Sequence, residues 1–253
     1  MKIVKELDQS VLIKHFNTDN KDYVCVTSML YFDLIEDQIL KEQDMWQEVM
    51  PFLREEEPLD FCMPKQQAEF VAYGNAYSKL PTKAQEVGIC VGNVSKKLYV
   101  VGDRYYSKNA LGAFSLSEPE EFSKKKVGFE NAYGGETYKK NPIGTGYFSV
   151  VKSSDVLVKA PNVQSENIIA IDNSENITPE SFEPLGIDWE FRAKKAGTYD
   201  EEWKNTRWPY FAHDMDYGIF NTTLPNQWTK GYFKGNEEII VENMHKEHQT
   251  IKS

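Results

Sequence analysis

A mainly-β fold is what this sequence predicts: an antiparallel, sandwich-like single domain with a few short helices and long ordered loops. Three observations predict it. Aromatic side chains make up 13% of the chain, and aromatics suit pleated, half-buried surfaces. Apolar residues recur with the period of a strand in two separate stretches, Tyr23 to Leu34 and residues 87–101. Glycine and proline then interrupt the chain at short intervals, which suits short strands joined by loops better than repeated βα crossover units.

Each element follows from its local pattern. In Tyr23 to Leu34, Val24, Val26, Leu30, Phe32 and Leu34 share one parity while Cys25, Met29 and Tyr31 take the other. A strand apolar on both faces is expected at the centre of a sheet. From Gln38 to Met50, Ile39, Trp46, Val49 and Met50 are spaced among Glu, Lys and Gln and the run stops at Pro51, the pattern of one amphipathic helix. Arg54 to Pro58 reads as an acidic loop. Val87, Ile89 and Val91 alternate with small residues, Gly92-Asn93 offers a turn, and Leu98 and Val100 resume the alternation, which makes residues 87–101 a hairpin. Thr198 to Thr206 reads as a short helix with Thr198 as its N-cap and acidic residues in its first turn. Ile239-Ile240-Val241 is the last expected strand. With no internal repeat and no low-complexity linker, residues 1–253 read as one domain.

Composition narrows the function classes. Hydrophobic residues at 40% and charged residues at 27% mark a globular chain. Twenty-nine basic residues against 39 acidic ones leave a formal charge of −10, and no basic footprint of the kind that displaces counterions from nucleic acid is present. The run Lys124-Lys125-Lys126 follows Glu118, Glu120 and Glu121 and reads as a solvated mixed-charge loop. No apolar run approaches the roughly 18 residues of a membrane span, and the N-terminal stretch Met1-Lys2-Ile3-Val4-Lys5-Glu6 meets Glu and Asp too soon for a secretory signal. Three cysteines (Cys25, Cys62 and Cys90) without close pairing suit buried thiols in a reducing cytoplasm.

Strong catalytic and metal motifs are absent from the sequence: there is no P-loop, GxSxG, HExxH or paired CxxC. His245 and His248 lack a third ligand at metal spacing, and exposed tail histidines are the better reading. Asp214 and Asp216 suggest the acid and base of a glycosidase. Turn capping, or pairing with Arg207 or Arg192, is the preferred role for both. In Gly197 to Trp203, Asp200 and Trp203 form either a recognition spot or, preferred, a place where Trp203 and Tyr199 pack into the core. Arg104 in Gly102-Asp103-Arg104 has two roles open: an internal pair with Asp103 or another loop acid, which is preferred, or a bidentate contact to a partner's carboxylate or phosphate.

The motifs also form an ordered series. Lys97-Leu98-Tyr99-Val100-Val101-Gly102-Asp103-Arg104 is followed by Phe129-Glu130-Asn131-Ala132-Tyr133-Gly134-Gly135, Asn141-Pro142-Ile143-Gly144-Thr145-Gly146 and Pro161-Asn162. Trp189, Arg192, Ala196-Gly197-Thr198-Tyr199-Asp200, Trp203 and Arg207 come next, then Asp214-Met215-Asp216, Phe220-Asn221 and Gly235-Asn236-Glu237. Tyr73-Gly74-Asn75-Ala76-Tyr77 precedes them all. No single motif is specific, but the series in this order resembles the family catalogued as domain of unknown function 2169. Phe129 stands where that family usually has Tyr, and Ala160 and Leu224-Pro225-Asn226-Gln227 also depart from its pattern.

The resemblance implies a non-enzymatic accessory protein of a bacterial type VI secretion system. Its role would be an adaptor or chaperone that binds a PAAR-type spike tip or an effector and helps load it onto the VgrG spike. Some family members carry pentapeptide repeats after this domain, so the chain is compatible with the N-terminal part of a longer protein. No catalytic residue, metal or cofactor is expected, nor is nucleic acid or a membrane as partner. Protein-binding candidates are Arg104, Asp103, Asp200 and Arg207. Structural roles are expected for Tyr133, Gly134, Gly135, Asn141, Pro142, Gly144, Trp189, Arg192, Tyr199 and Trp203. Two rival classes remain: a carbohydrate-active or glycan-binding sandwich, and a structural piece of the secretion machine.

Overall fold

The computed structural model describes residues 11–18, 21–28, 32–35, 38–39, 65, 67–108, 112–147, 157–165 and 177–253. The protein is mainly β, as the pattern predicts. Its described α-helices are two short ones, Glu190–Ala193 and Glu201–Thr206. The chain divides into two compact units, residues 1–66 with 194–221, and residues 67–193 with 222–253.

In the first unit, β1 (Val11–Thr18) and β2 (Lys21–Ser28) form an antiparallel hairpin, and β3 (Phe32–Asp33) pairs with β4 (Gln38–Ile39). Two expectations are corrected here. Tyr23 to Leu34 is not one central strand: β2 ends at Ser28 and, among the described residues, pairs with β1 alone, leaving Val24 42% exposed. Two apolar parities therefore do not by themselves put a sheet on both sides of a strand. The helix expected over Gln38 to Met50 begins instead as β4, and the rest of that stretch lies outside the described residues, as does the acidic loop Arg54 to Pro58.

The second unit is built on a five-stranded antiparallel sheet. Its centre is the hairpin of β7 (Ala84–Val91) and β8 (Val94–Val101), which the alternation locates correctly and the structure extends by three residues at its start. Gly92, at φ +58°, occupies the turn, where an L side chain is disfavoured. The strand β15 (Val163–Gln164) lies outside β8, and β17 (Ile239–Glu242) and β18 (Thr250–Lys252) continue the sheet beyond β7. The Ile239 to Val241 strand is thus followed by another and is not the last. His245 and His248 sit in the connection between β17 and β18 rather than in a tail, with His245 half-buried.

Smaller sheets surround this one. They are β5 (Gln67–Glu69) with β16 (Trp228–Lys230), β6 (Asn75–Thr82) with β11 (Phe122–Lys126), and β10 (Phe114–Leu116) with β9 (Tyr105–Lys108) and β14 (Val158–Lys159). A two-residue parallel pair, β12 (Tyr133–Gly134) and β13 (Thr145–Gly146), closes a loop. The lysine run lies in β11 and not in a solvated loop. Lys124 sits over the Tyr77 ring, Lys125 reaches Asp103, and Lys126 reaches Glu130 and Glu183.

The core explains the order of these pieces. Along β8, Val94, Lys96, Leu98 and Val100 face inward while Ser95, Lys97 and Tyr99 face outward. Val87, Leu98, Val100, Val127, Phe129 and Phe182 form the centre of one apolar cluster, and burial of such side chains is worth about 1.5–3 kcal/mol each. Lys96 takes an inward position that the apolar pattern alone would fill with a hydrophobe. Its ammonium is satisfied there by Glu180 at 2.7 Å, by Gln227 Oε1 at 2.8 Å and by the Ser181 carbonyl at 2.8 Å. Burial lowers the pKa of Lys96, and the Glu180 charge opposes that shift. Glu69 in β5 fastens the chain where it re-enters this unit, accepting from the backbone N–H groups and hydroxyls of Thr222 and Thr223.

Candidate functional site

The motif residues of the second unit converge on one interlocked set of loops. Gly102 leaves β8 so close to the 118–121 segment that a Cβ would overlap the Glu120 carbonyl oxygen. That close approach aims Asp103 at three partners from three segments: Lys125 at 2.9 Å, Lys159 at 3.0 Å and Asn162 Nδ2 at 2.9 Å. Burial disfavours the ionised carboxylate, yet the bonds from Lys125, Lys159 and Asn162 outweigh it and hold the Asp103 pKa down at about 2. Asn162 is fully buried and also donates to the Val101 carbonyl at 2.9 Å.

Arg104 points along the same loops. Its Nη2 donates to the Pro161 carbonyl at 3.2 Å and lies 3.4 Å from Gln164 Oε1, while its Nε is buried without a hydrogen bond. Among the described residues, Arg104 therefore pairs with neither Asp103 nor another loop acid, so the preferred internal pair is not found. Its partners are a carbonyl and an amide. Its charge also lies close enough to Tyr106 to oppose the upward pKa shift that burial gives that phenol.

The next motifs form a second clamp. Asn141, fully buried, donates to the carbonyls of Phe129 and Tyr133 at 2.8 and 3.1 Å. Gly134 lies so close that a Cβ would overlap the Asn141 carbonyl, and Gly144 packs against Ala132 and Gly134. Gly135 donates back to Asn141, and Pro142 lies in the turn that leads to Gly144. Tyr133 meets Tyr138 and Tyr147 edge-on. Trp189 meets Phe129 edge-on at 5.0 Å, and Arg192, one turn later and buried, donates to the Leu185 carbonyl. For Tyr133, Gly134, Gly135, Asn141, Pro142, Gly144, Trp189 and Arg192, packing and loop closure account for the motif.

The segment 194–221 of the first unit is different. Its helix is capped by Asp200, whose Oδ1 accepts the Trp203 N–H at 2.9 Å, and not by Thr198. Thr198 is held instead by Asp214, which accepts its backbone N–H at 2.9 Å and its hydroxyl at 2.7 Å. Those bonds from Thr198 lower the Asp214 pKa. Asp216 accepts the Gly218 N–H at 2.7 Å at the start of a single turn, Tyr217–Phe220. Both carboxylates cap backbone, as the preferred reading of the sequence has it.

The core role expected for Trp203 and Tyr199 is corrected. No residue of the helix Glu201–Thr206 is buried, Tyr199 is 47% exposed, and Trp203 is half-buried. The rings pack against one another: Trp203 meets Tyr199 edge-on at 4.7 Å and Trp208 edge-on at 5.5 Å. Trp203 Nε1 donates to the Tyr210 carbonyl at 2.9 Å. Trp208 is 68% exposed, and Arg207 lies over the Tyr210 ring with its Nε on the Phe211 carbonyl at 2.9 Å. Aromatic side chains of this size left open to solvent are the exception on a folded surface.

Of the four binding candidates, Asp103 and Arg104 thus belong to one loop cluster in the second unit, and Asp200 and Arg207 to the aromatic segment of the first. Sequence reasoning missed Trp208. The signal was present in Trp208-Pro209-Tyr210-Phe211, a dense aromatic run directly after a short helix.

Among the described residues, no group of three or more His, Cys, Asp or Glu side chains is placed to hold a metal ion, and no helix is long and apolar enough to cross a membrane. The fold and these sites define a mainly-β protein with densely cross-linked loops and, among the described residues, an open aromatic cluster. The chain belongs to the family described as uncharacterized protein conserved in bacteria (DUF2169), whose model matches residues 19–253. That match extends beyond the motif series on both sides. No curated protein and no solved structure matches the chain.

Proposed function

We propose that this protein is a binding adaptor or chaperone of a bacterial type VI secretion system, holding a PAAR-type spike tip or effector for loading onto the VgrG spike and working without turnover. The secretion context rests on the motif series and its resemblance. The observation that carries the binding role is the aromatic cluster of Tyr199, Trp203 and Trp208, in which Tyr199 and Trp208 are exposed. Large rigid aromatics supply much of the energy of protein interfaces at small entropic cost. Asp214 and Asp216, the best pair for hydrolysis, are each engaged in capping backbone, which favours a role without chemistry.

The test is co-purification of the full chain with PAAR-type and effector proteins of the producing bacterium, using wild type and Trp208→Ala. Stoichiometric capture by wild type, lost in a Trp208→Ala variant of unchanged melting temperature, supports the adaptor. Equal capture by both removes the cluster from the interface. A glycan-binding role is the second reading, favoured by the same open rings, and glycan hydrolysis abolished by Asp214→Asn would replace the adaptor with an enzyme.

A further inference from the structure

We infer that the aromatic cluster seats a cationic segment of the client: a lysine or arginine stacked against the Trp203 and Trp208 rings, its charge answered by Asp200. This rests on the adaptor reading and specifies the partner's chemistry.

The argument begins with what the rings leave available. The two indoles meet edge-on, at 86° between planes, so they form an open angle rather than a closed stack. Trp203 has committed its N–H to the Tyr210 carbonyl. What the cluster offers a ligand is the Trp208 ring, 68% exposed, and the electron-rich face of indole is the strongest aromatic partner for a cation.

Charge decides between ligands. Asp200 uses Oδ1 on the Trp203 N–H and is exposed, and its Oδ2 makes no hydrogen bond among the described residues. Glu201 and Glu202 follow it on exposed positions. The nearby cations are already occupied: Lys204 is held by Glu201 at 3.2 Å, and Arg207 lies over Tyr210 with its Nε on the Phe211 carbonyl. Three carboxylates, Asp200, Glu201 and Glu202, thus stand against two cations, Lys204 and Arg207, an acidic balance in a chain of formal charge −10. An acidic segment is repelled from such a surface, and a basic one is drawn to it.

Asp200 gives the test its discrimination, because Asn caps a helix about as well as Asp. Asp200→Asn keeps an acceptor for the Trp203 N–H and removes only the charge. The probes are a short peptide rich in arginine and proline, its glutamate counterpart, and a neutral oligosaccharide, titrated against the full chain by tryptophan fluorescence at low and high salt. Glu118→Gln, in the second unit, serves as a control for general attraction to an acidic protein.

The inference requires that the arginine peptide bind and the glutamate peptide not. It also requires about fivefold weaker binding in both Trp208→Ala and Asp200→Asn at unchanged melting temperature, no change in Glu118→Gln, and loss of binding as salt rises. Arginine-peptide affinity equal in wild type, Asp200→Asn and Glu118→Gln overturns it. So does saccharide binding that depends on Trp208 and is indifferent to Asp200. A client that is lost in Trp208→Ala but retained in Asp200→Asn and at high salt also overturns the cationic chemistry while leaving the adaptor reading standing. A client indifferent to Trp208→Ala removes the cluster from the adaptor interface even where the peptide binds.

Discussion

Replacing Asp103 by asparagine isolates the charge at the centre of the loop cluster. The amide keeps an oxygen for Asn162 but leaves Lys125 and Lys159 without their shared counter-charge. The magnitude follows from the carboxylate's own titration. Its pKa falls from 3.8 to about 2 on folding, which corresponds to about 2–2.5 kcal/mol of stability. Because the folded pKa is depressed, that contribution is complete above the unfolded value of 3.8 and is lost as pH falls towards 2. By about pH 3, roughly half of it is gone. Urea unfolding of wild type and Asp103→Asn at neutral pH, pH 5 and pH 3 is the assay. The expected gap is about 2 kcal/mol at neutral pH and pH 5, shrinking to about 1 kcal/mol at pH 3. A variant as stable as wild type at neutral pH, or a gap that does not narrow with acid, refutes the reasoning.

Other perturbations test other parts of the structure. Lys96→Met strands the carboxylate of Glu180 and is expected to cost about 3–5 kcal/mol, with Lys96→Met/Glu180→Gln recovering part of the loss in thermal melts. Gly102→Ala drives a Cβ into the Glu120 carbonyl, so the backbone must shift, and a loss of more than about 3 kcal/mol or insoluble expression is expected. Trp203→Ala is expected to cost about 1–2 kcal/mol rather than the value for a fully buried indole, since the ring is half-buried and gives up one hydrogen bond. Trp208→Ala is expected to change unfolding free energy by less than about 0.5 kcal/mol, because its ring is mostly in water.

The alternation of Val87, Ile89, Leu98 and Val100 was enough to place the central hairpin, because strand periodicity reports which face each side chain takes. The same parity assigns Lys96 to the inward face of β8, so its burial was legible in register although not in residue type. The local logic failed at the short helix. Thr198 and Asp200 are both good caps by composition, and the choice fell to Asp200 because Asp214, sixteen residues on, takes Thr198. It failed again at Tyr23 to Leu34, where apolar residues on both parities do not dictate what pairs with a strand.

By itself, the sequence determined that this is a mainly-β chain of the DUF2169 family with a hairpin at its centre and motif loops rich in glycine and asparagine. Those properties live in residues within a few positions of one another, or in their order along the chain. Only the tertiary structure decided that Asp103 answers Lys125, Lys159 and Asn162, that Lys96 meets Glu180, and that Trp208 stands open and Trp203 half-buried while Trp189 is buried. The physical reason is that the worth of a charge or an aromatic ring depends on what the rest of the chain brings against it. For Asp103, Lys96 and Trp189 the answer comes from segments tens of residues away, and no local pattern encodes it.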